Sequence, residues 1–352
     1  LEPDRLDKSI LDTFHGPSLR QLLDSLTNNR ALKWVLSLHC LLHGVTPEQV
    51  PFAYHACIAG SYYESVHGIK GGGRKLADAY DDLLADIGVD VYYGHEVKEI
   101  LPSTDSRPSS VRLKDGTSLE CYNCISTIHP KEFLKLVPES PFRPAYRKRL
   151  QQLDETPSAY MLFAGYRNIP QSLAHGNVLI TPNWDWTDTM EKNPIENRPL
   201  YLCCNQQAQG RAGIYGLTGI VPAQMIEMEQ WLDSAPGRRP EGYIHFKEKI
   251  SLDLQRYIER CLPEMAGNVE FTECATPLSL RDFANNPFGS IYGVKHKIGQ
   301  FNPMPLTKSK NLYLAGQAVV APGIMGAVIS AFLVCGFIIG HEQLLTQLQQ
   351  FK

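Results

Sequence analysis

The residues with the clearest capacity for chemistry stand near the carboxyl end, where Gly316-Gln317 is followed by Pro322-Gly323-Ile324-Met325-Gly326. Leu312 to Ala315 before them reads as a short buried strand, and Ala327 to Ile339 after them is apolar throughout. A strand, a glycine crossing loop and a helix start free of bulky side chains leave backbone N–H groups and the positive helix end open to a ligand oxygen. The bland alternative is an ordinary buried helix closing an α/β core. Other chemistry-bearing spacings are weaker. Cys121-x-x-Cys124 has no second pair to complete a zinc site, and two small residues at a tight turn into a strand account for it. His39 and His43 stand four apart, but no acidic residue or third histidine lies near them in sequence, so they read as core and rim histidines and no metal is expected. Gly71-Gly72-Gly73 is the only glycine run that approaches a dinucleotide fingerprint. It fails, because Leu76 holds the third position and no apolar strand precedes Gly71.

The chain has 352 residues, of which 43% are hydrophobic and 20% charged, with a formal net charge of −3. That composition is globular, and the absence of a basic run with interleaved aromatics argues against a nucleic-acid partner. Nine cysteines without framework spacing fit a reducing, cytoplasmic setting. The apolar run from Ala327 to Ile339 is shorter than the ~18 to 20 residues of a membrane span, and Leu1-Glu2-Pro3-Asp4-Arg5 is unlike the start of a signal peptide.

The elements that must position these residues follow from periodicity. Ser18 is placed to cap a helix with the stripe Leu19, Leu22, Leu23 and Leu26. Ala31 to Leu42 continues helical to Gly44, and Thr46-Pro47-Glu48-Gln49 predicts a third helix from Thr46 to about Ala59. Tyr62 to His67 reads as irregular. A helical stripe then runs from Leu76 to Ile87, followed by strand-like Val89 to Tyr93 and Glu96 to Ile100, and by a hairpin of Val111 to Leu113, the Asp115-Gly116 turn and Ser118 to Thr127. Proline marks a boundary from Pro138 to Pro144. Strands are expected at Ala159 to Tyr166, Asn177 to Thr181 and Pro199 to Cys204, with the aromatic loop Trp184-Asp185-Trp186 between the last two. Helices are expected at Pro222 to Ser234 and Tyr243 to Leu262, a strand at Asn268 to Ala275, and a polar crossing from Thr276-Pro277 to Gly293.

Taken in order, Gly71-Gly72-x-x-x-Leu76-x-x-Ala79, Glu96-Val97, Thr276-Pro277, Gly289-x-x-Tyr292-Gly293, Asn311 to Gln317 and Pro322-Gly323-x-x-Gly326 resemble the FAD-dependent phytoene desaturase, carotenoid isomerase and retinol saturase group of the amine-oxidase-like flavoproteins. The resemblance implies an α/β fold with an α+β mix, in which an incomplete Rossmann-like FAD domain is interrupted by a substrate domain of helices and an antiparallel sheet. The implied segments are 1–62 (helical part of the substrate domain), 63–137 (FAD), 138–285 (substrate) and 286–352 (FAD). Val97 would lie beside the adenine, Ala315, Gly316 and Gln317 along the ribityl and pyrophosphate, and Gly323, Ile324, Met325 and Gly326 against the flavin ring. Tyr62, Tyr63, Trp184, Trp186, Phe288 and Tyr292 are candidate walls of an apolar pocket for a carotenoid or retinoid. No catalytic side chain is singled out. The family's opening strand, G-x-G-x-x-G and ribose-binding acid are missing, so weak FAD binding is expected of these residues alone. The other readings are a flavin amine or protoporphyrinogen oxidase and a non-catalytic apolar-ligand module. A peripheral membrane contact completes the expectations.

Overall fold

The computed structural model describes residues 16–102, 109–182, 193–205 and 213–350. The first described element is α1 (Leu19–Leu26), capped by Ser18 as expected and with Gln21 closing a reciprocal capping box. The next expected helix is two: α2 (Arg30–Ser37) and α3 (Cys40–His43). Tight i to i+3 bonds at Leu38, Leu41 and Leu42 break it, and the Ser37 hydroxyl bonds back to the Lys33 carbonyl at 2.7 Å. The break turns Cys40 and His43 into the core.

The helix expected from Thr46 begins later, as α4 (Phe52–Glu64). Pro51 is the reason: inside a helix it would remove a hydrogen bond and clash with the carbonyl of Pro47. That carbonyl instead accepts the Arg20 N–H at 2.9 Å. The helix then runs through Tyr62 and Tyr63, which the irregular reading had missed.

Gly71 and Gly72, at φ +85° and +72°, make the turn into α5 (Gly72–Asp86), so the glycines serve the backbone conformation. Every residue of α5 keeps some solvent exposure, despite its apolar stripe. Val89 to Tyr93 forms no strand. Strands β1 (Val97–Leu101), β2 (Ser109–Leu113) and β3 (Ser118–Cys121) make an antiparallel sheet in that order. The expected long arm after Asp115-Gly116 is cut at Tyr122-Asn123, because β4 (Cys124–Ser126) leaves the hairpin and pairs in parallel with a strand near the carboxyl end. Helices α6 (Pro130–Leu136) and α7 (Pro144–Gln151) pack beside it.

A five-stranded antiparallel sheet follows. Its strands are β5 (Ser158–Tyr166), β6 (Val178–Ile180, after α8, Gln171–His175), β7 (Leu200–Asn205), β8 (Tyr215–Ala223) and β9 (Val269–Ala275), in spatial order β6-β7-β8-β5-β9. The central strand β8 escaped the sequence reading because Gly216 and Gly219 dilute its alternation. The pattern is still there, with Leu217, Gly219, Val221 and Ala223 buried and Thr218, Ile220 and Pro222 partly exposed on the other face. Gly219 leaves room for Leu202 and Ile258, which come within 3.3 and 3.5 Å of where a Cβ would stand. The helix expected from Pro222 shrinks to a 3₁₀ turn, Met225–Trp231, because Pro222 belongs to β8.

The buried face of this sheet packs on α9 (Glu241–Cys261), with Tyr160, Leu162, Leu202 and Val221 against Leu254 and Ile258. Burying side chains of this size contributes roughly 1.5–3 kcal/mol each. The polar crossing after β9 contains a short helix, α10 (Pro277–Ala284), capped by Thr276. The chain ends with β10 (Leu312–Leu314), α11 (Gly323–Ile339) and α12 (His341–Gln349). β10 pairs with β4, and the two strands sit in a second core with Ile100, Phe133, Leu150 and Val319. A third core joins α1 to α4 around Leu19, Trp34, Cys40 and Tyr54. The result is a mixed α/β architecture. Among the described residues no single helix is long and apolar enough to cross a membrane.

Candidate functional site

The site has two parts, a backbone cradle after β10 and an apolar pocket under the five-stranded sheet. The cradle begins where Ala315 donates its N–H to Ser126 O at 2.9 Å, extending the parallel ladder by one residue. Gly316 then turns at φ +101°, with Thr127 O only 3.0 Å from where its Cβ would be, so a side chain there would strike backbone. Its N–H is held by Ser330 Oγ at 2.8 Å, which ties the loop to the first half of α11. Gly326 is buried, and a Cβ on it would lie 1.8 Å from Ala321 O.

The start of α11 is open. Gly323 (φ +78°) has nothing within 4 Å of its Cβ position, and Ile324 and Met325 are 61% and 68% exposed. Pro322 provides no side-chain cap, and the first turn carries no acid. The first N–H groups of a helix have no intrahelical partner, so this end presents donors and the positive helix pole to whatever lies against it. The alternative of an ordinary buried helix does not describe α11. Only Gly326, Ser330, Val334 and Gly336 are buried along it.

The pocket, of about 420 Å³, lies between the helical layer and the less buried face of the sheet. Leu38, Leu41 and Leu42 form one wall, and Leu179, Tyr201, Ile220 and Pro222 from β6, β7 and β8 form the facing one. Strand alternation explains this face, since the residues between these point into the α9 core. Tyr62, His39 and Tyr292 line it as well, and among the described residues its lining includes no acid, lysine or arginine. Burial pushes the Tyr201 hydroxyl up to about 12, raises that of Tyr292 further, and lowers His39, so each of these groups is held neutral.

Cradle and pocket meet through the Tyr292-Gly293 strap. Tyr292 lines the pocket, while a Cβ on Gly293 (φ +74°) would stand 2.8 Å from Ala318 Cβ in the cradle loop. The strap is pinned by Thr156, beside a buried ionic knot in which Glu155 meets His129 Nε2 at 3.0 Å and Lys131 Nζ at 2.8 Å and accepts from Ser290 Oγ at 3.1 Å. Burial acts to raise the Glu155 carboxyl, but His129 and then Lys131 outweigh it and hold it below its ordinary range.

Of the expected site residues, Ala315, Gly316, Gln317, Gly323, Ile324, Met325 and Gly326 fall together in the cradle. Val97 is half-buried at the start of β1, packed on the core that contains β10. Tyr62 and Tyr292 line the pocket. Tyr63 does not; it is exposed and touches the His39 ring edge-on. Phe288 belongs to a separate, more polar hollow, with Lys131 Nζ 4.6 Å from its ring centre. Trp184 and Trp186 lie outside the described residues. Sequence reasoning missed His39, Tyr201 and the leucines of α3. An alternation count on β7 could have found Tyr201, but the helix break that aims His39 leaves no signal in sequence.

A model of the family of flavin containing amine oxidoreductases matches residues 8–219. Over 93% of its length the chain is 24% identical to all-trans-retinol 13,14-reductase of Danio rerio, covering 58% of that protein. It is also 24% identical to 4,4'-diapolycopene oxygenase of Methylomonas sp, over 92% of the chain and 62% of the relative. The chain thus spans about 60% of the length of these relatives. The fold is similar to that of a crystallised oxidoreductase from Methanosarcina mazei, with a TM-score of 0.62 at 16% identity, covering 95% of this chain and 73% of the other.

Proposed function

We propose, from the premise that the chain belongs to the flavin containing amine oxidoreductases, that it forms part of an FAD-dependent oxidoreductase acting on an apolar polyene of the carotenoid or retinoid kind. The carrying observation is the uncharged pocket of about 420 Å³ joined by Tyr292-Gly293 to the open start of α11. The open amides at Gly323 to Met325 and the clearance at Gly323 fit a planar ring with an electron-rich edge. Bound there, the flavin would supply the two-electron acceptance or donation. Ala315 to Gln317 and the first turn of α11 would hold it, and the positive helix end would favour negative charge at the ring's edge. Tyr62, Tyr201 and Tyr292 would exclude water and orient the hydrocarbon. Among the described residues an ammonium substrate would find no carboxylate in this lining, which supports a polyene over an amine.

We also propose that these residues make the isoalloxazine part of the FAD site and lack its dinucleotide fingerprint. On this reading 63–137 and 286–352 form the FAD part; the core that joins Ile100 and Phe133 to Leu312 and Leu314 supports it, and 138–153 would pack on that side through Phe142, Leu150 and Leu153. A polyene would come from a lipid phase, and exposed Tyr63, Val66 and Ile69, which follow Tyr62 in the chain, would supply apolar surface for a peripheral membrane contact. The deciding experiment uses the full-length protein that carries this chain. Flavin absorption bands, and anaerobic conversion of a retinoid or carotenoid followed by chromatography, are the expected result. A protein with no flavin bands after incubation with FAD, and no turnover of either polyene, would overturn the proposal.

A further inference from the structure

Beneath the pocket, α3 and α4 bring three buried ligand-type side chains together, with the ligand atoms of Cys40, His43 and His55 within 4.8 Å of one another. His55 Nδ1 lies 3.2 Å from His43 Nε2 and 3.6 Å from Cys40 Sγ. Tetrahedral zinc, with Zn–N about 2.05 Å and Zn–S about 2.3 Å, would separate N from N by about 3.3 Å and S from N by about 3.6 Å. His55 Nε2 faces the Leu36 carbonyl at 3.0 Å and so carries that ring's proton, which leaves the Nδ1 lone pair pointing into the cluster. Without an ion the His43 N–H and the Cys40 thiol would compete for that single lone pair. One cation would serve all three groups.

We propose that Cys40, His43 and His55 bind one zinc ion, with a water in the fourth position, and that the ion clamps α3 to α4 beneath the pocket wall. Cys40 and His43 lie i, i+3 on α3, and His55 comes from the first turn of α4, so the clamp bridges two helices that a loop separates. Zinc takes two imidazoles and one thiolate without redox change. None of the three ligands lines the pocket itself.

The full-length protein, freed of metal by a chelator and desalted, is titrated with zinc chloride alone and, separately, with cobalt chloride. The expected results are one zinc per chain by mass spectrometry, a thiolate-to-cobalt charge-transfer band, and a melting temperature that zinc raises. Cys40→Ser loses the charge-transfer band, and His43→Gln weakens zinc binding at least about tenfold. If either variant fails to fold, the wild-type titration decides. A wild-type protein that takes up neither metal stoichiometrically and melts unchanged with zinc or chelator overturns the proposal. So does a folded Cys40→Ser that binds zinc as the wild type does.

Discussion

The Gly293 carbonyl accepts two hydrogen bonds from Thr156, one from its N–H at 2.8 Å and one from its hydroxyl at 3.0 Å. The same hydroxyl accepts the Tyr292 N–H at 3.1 Å, so one buried threonine fixes the strap between cradle and pocket. Thr156→Val keeps the shape and removes the hydroxyl, leaving the Tyr292 N–H unpaired at a cost of about 1–3 kcal/mol. Urea unfolding should read that loss. A stability within 0.5 kcal/mol of wild type, about the scatter of surface substitutions, would mean that the strap is held by something else.

Glycine substitutions in the cradle should differ in severity. Gly326→Ala places a methyl 1.8 Å from a backbone oxygen, so the first turn of α11 must move. Gly323→Ala meets only open space but keeps a positive φ, a strain of roughly 1–2 kcal/mol. Flavin content of the full-length protein should therefore drop much further for Gly326→Ala than for Gly323→Ala. The reverse order would remove the cradle as the flavin's seat.

Acid should destabilise the fold in two stages. Burial lowers His296 from 6.5 to about 4, and Asn302 Nδ2 donates to its Nδ1 at 2.9 Å. Between those values the unfolded chain binds the proton and the folded one does not, so stability rises with pH there. It falls as pH drops from about 6.5 toward 4, by up to about 1.4 kcal/mol per pH unit. His296→Gln should reduce the slope of this part of a urea midpoint against pH curve, the rest being carried by the other histidines that burial lowers, His43 foremost. Glu155 is depressed below 4.5, so its contribution is present above that value and is lost as pH falls through the lower folded one. Glu155→Gln should flatten the curve only below about 4.5.

Filling the pocket should separate substrate from cofactor. Ile220 projects from β8 into the cavity, and Ile220→Trp adds bulk against α3. A kcat/KM for the polyene lowered at least tenfold, a change of about 1.4 kcal/mol, with flavin absorption unchanged, is expected. Equal loss of both would place the two ligands in one space.

What could be read from sequence is local. The Ser18 cap, the Asp115-Gly116 hairpin, the α9 stripe and the strand, glycine turn and apolar helix near the end are written in adjacent residues whose spacing fixes their geometry. Where such rules failed, a distant partner had overruled them. β4 left its hairpin to pair with β10, and the carbonyl that Pro51 would have met took the Arg20 N–H instead.

The types of the cradle residues, and the family they resemble, are therefore legible in the sequence alone. The pocket and the Cys40, His43 and His55 cluster were not. Both depend on a helix break at Leu38 and on packing between segments far apart in sequence. Side-chain proximity of that kind is set by the folding of whole layers, and the spacing of residues along the chain carries no record of it.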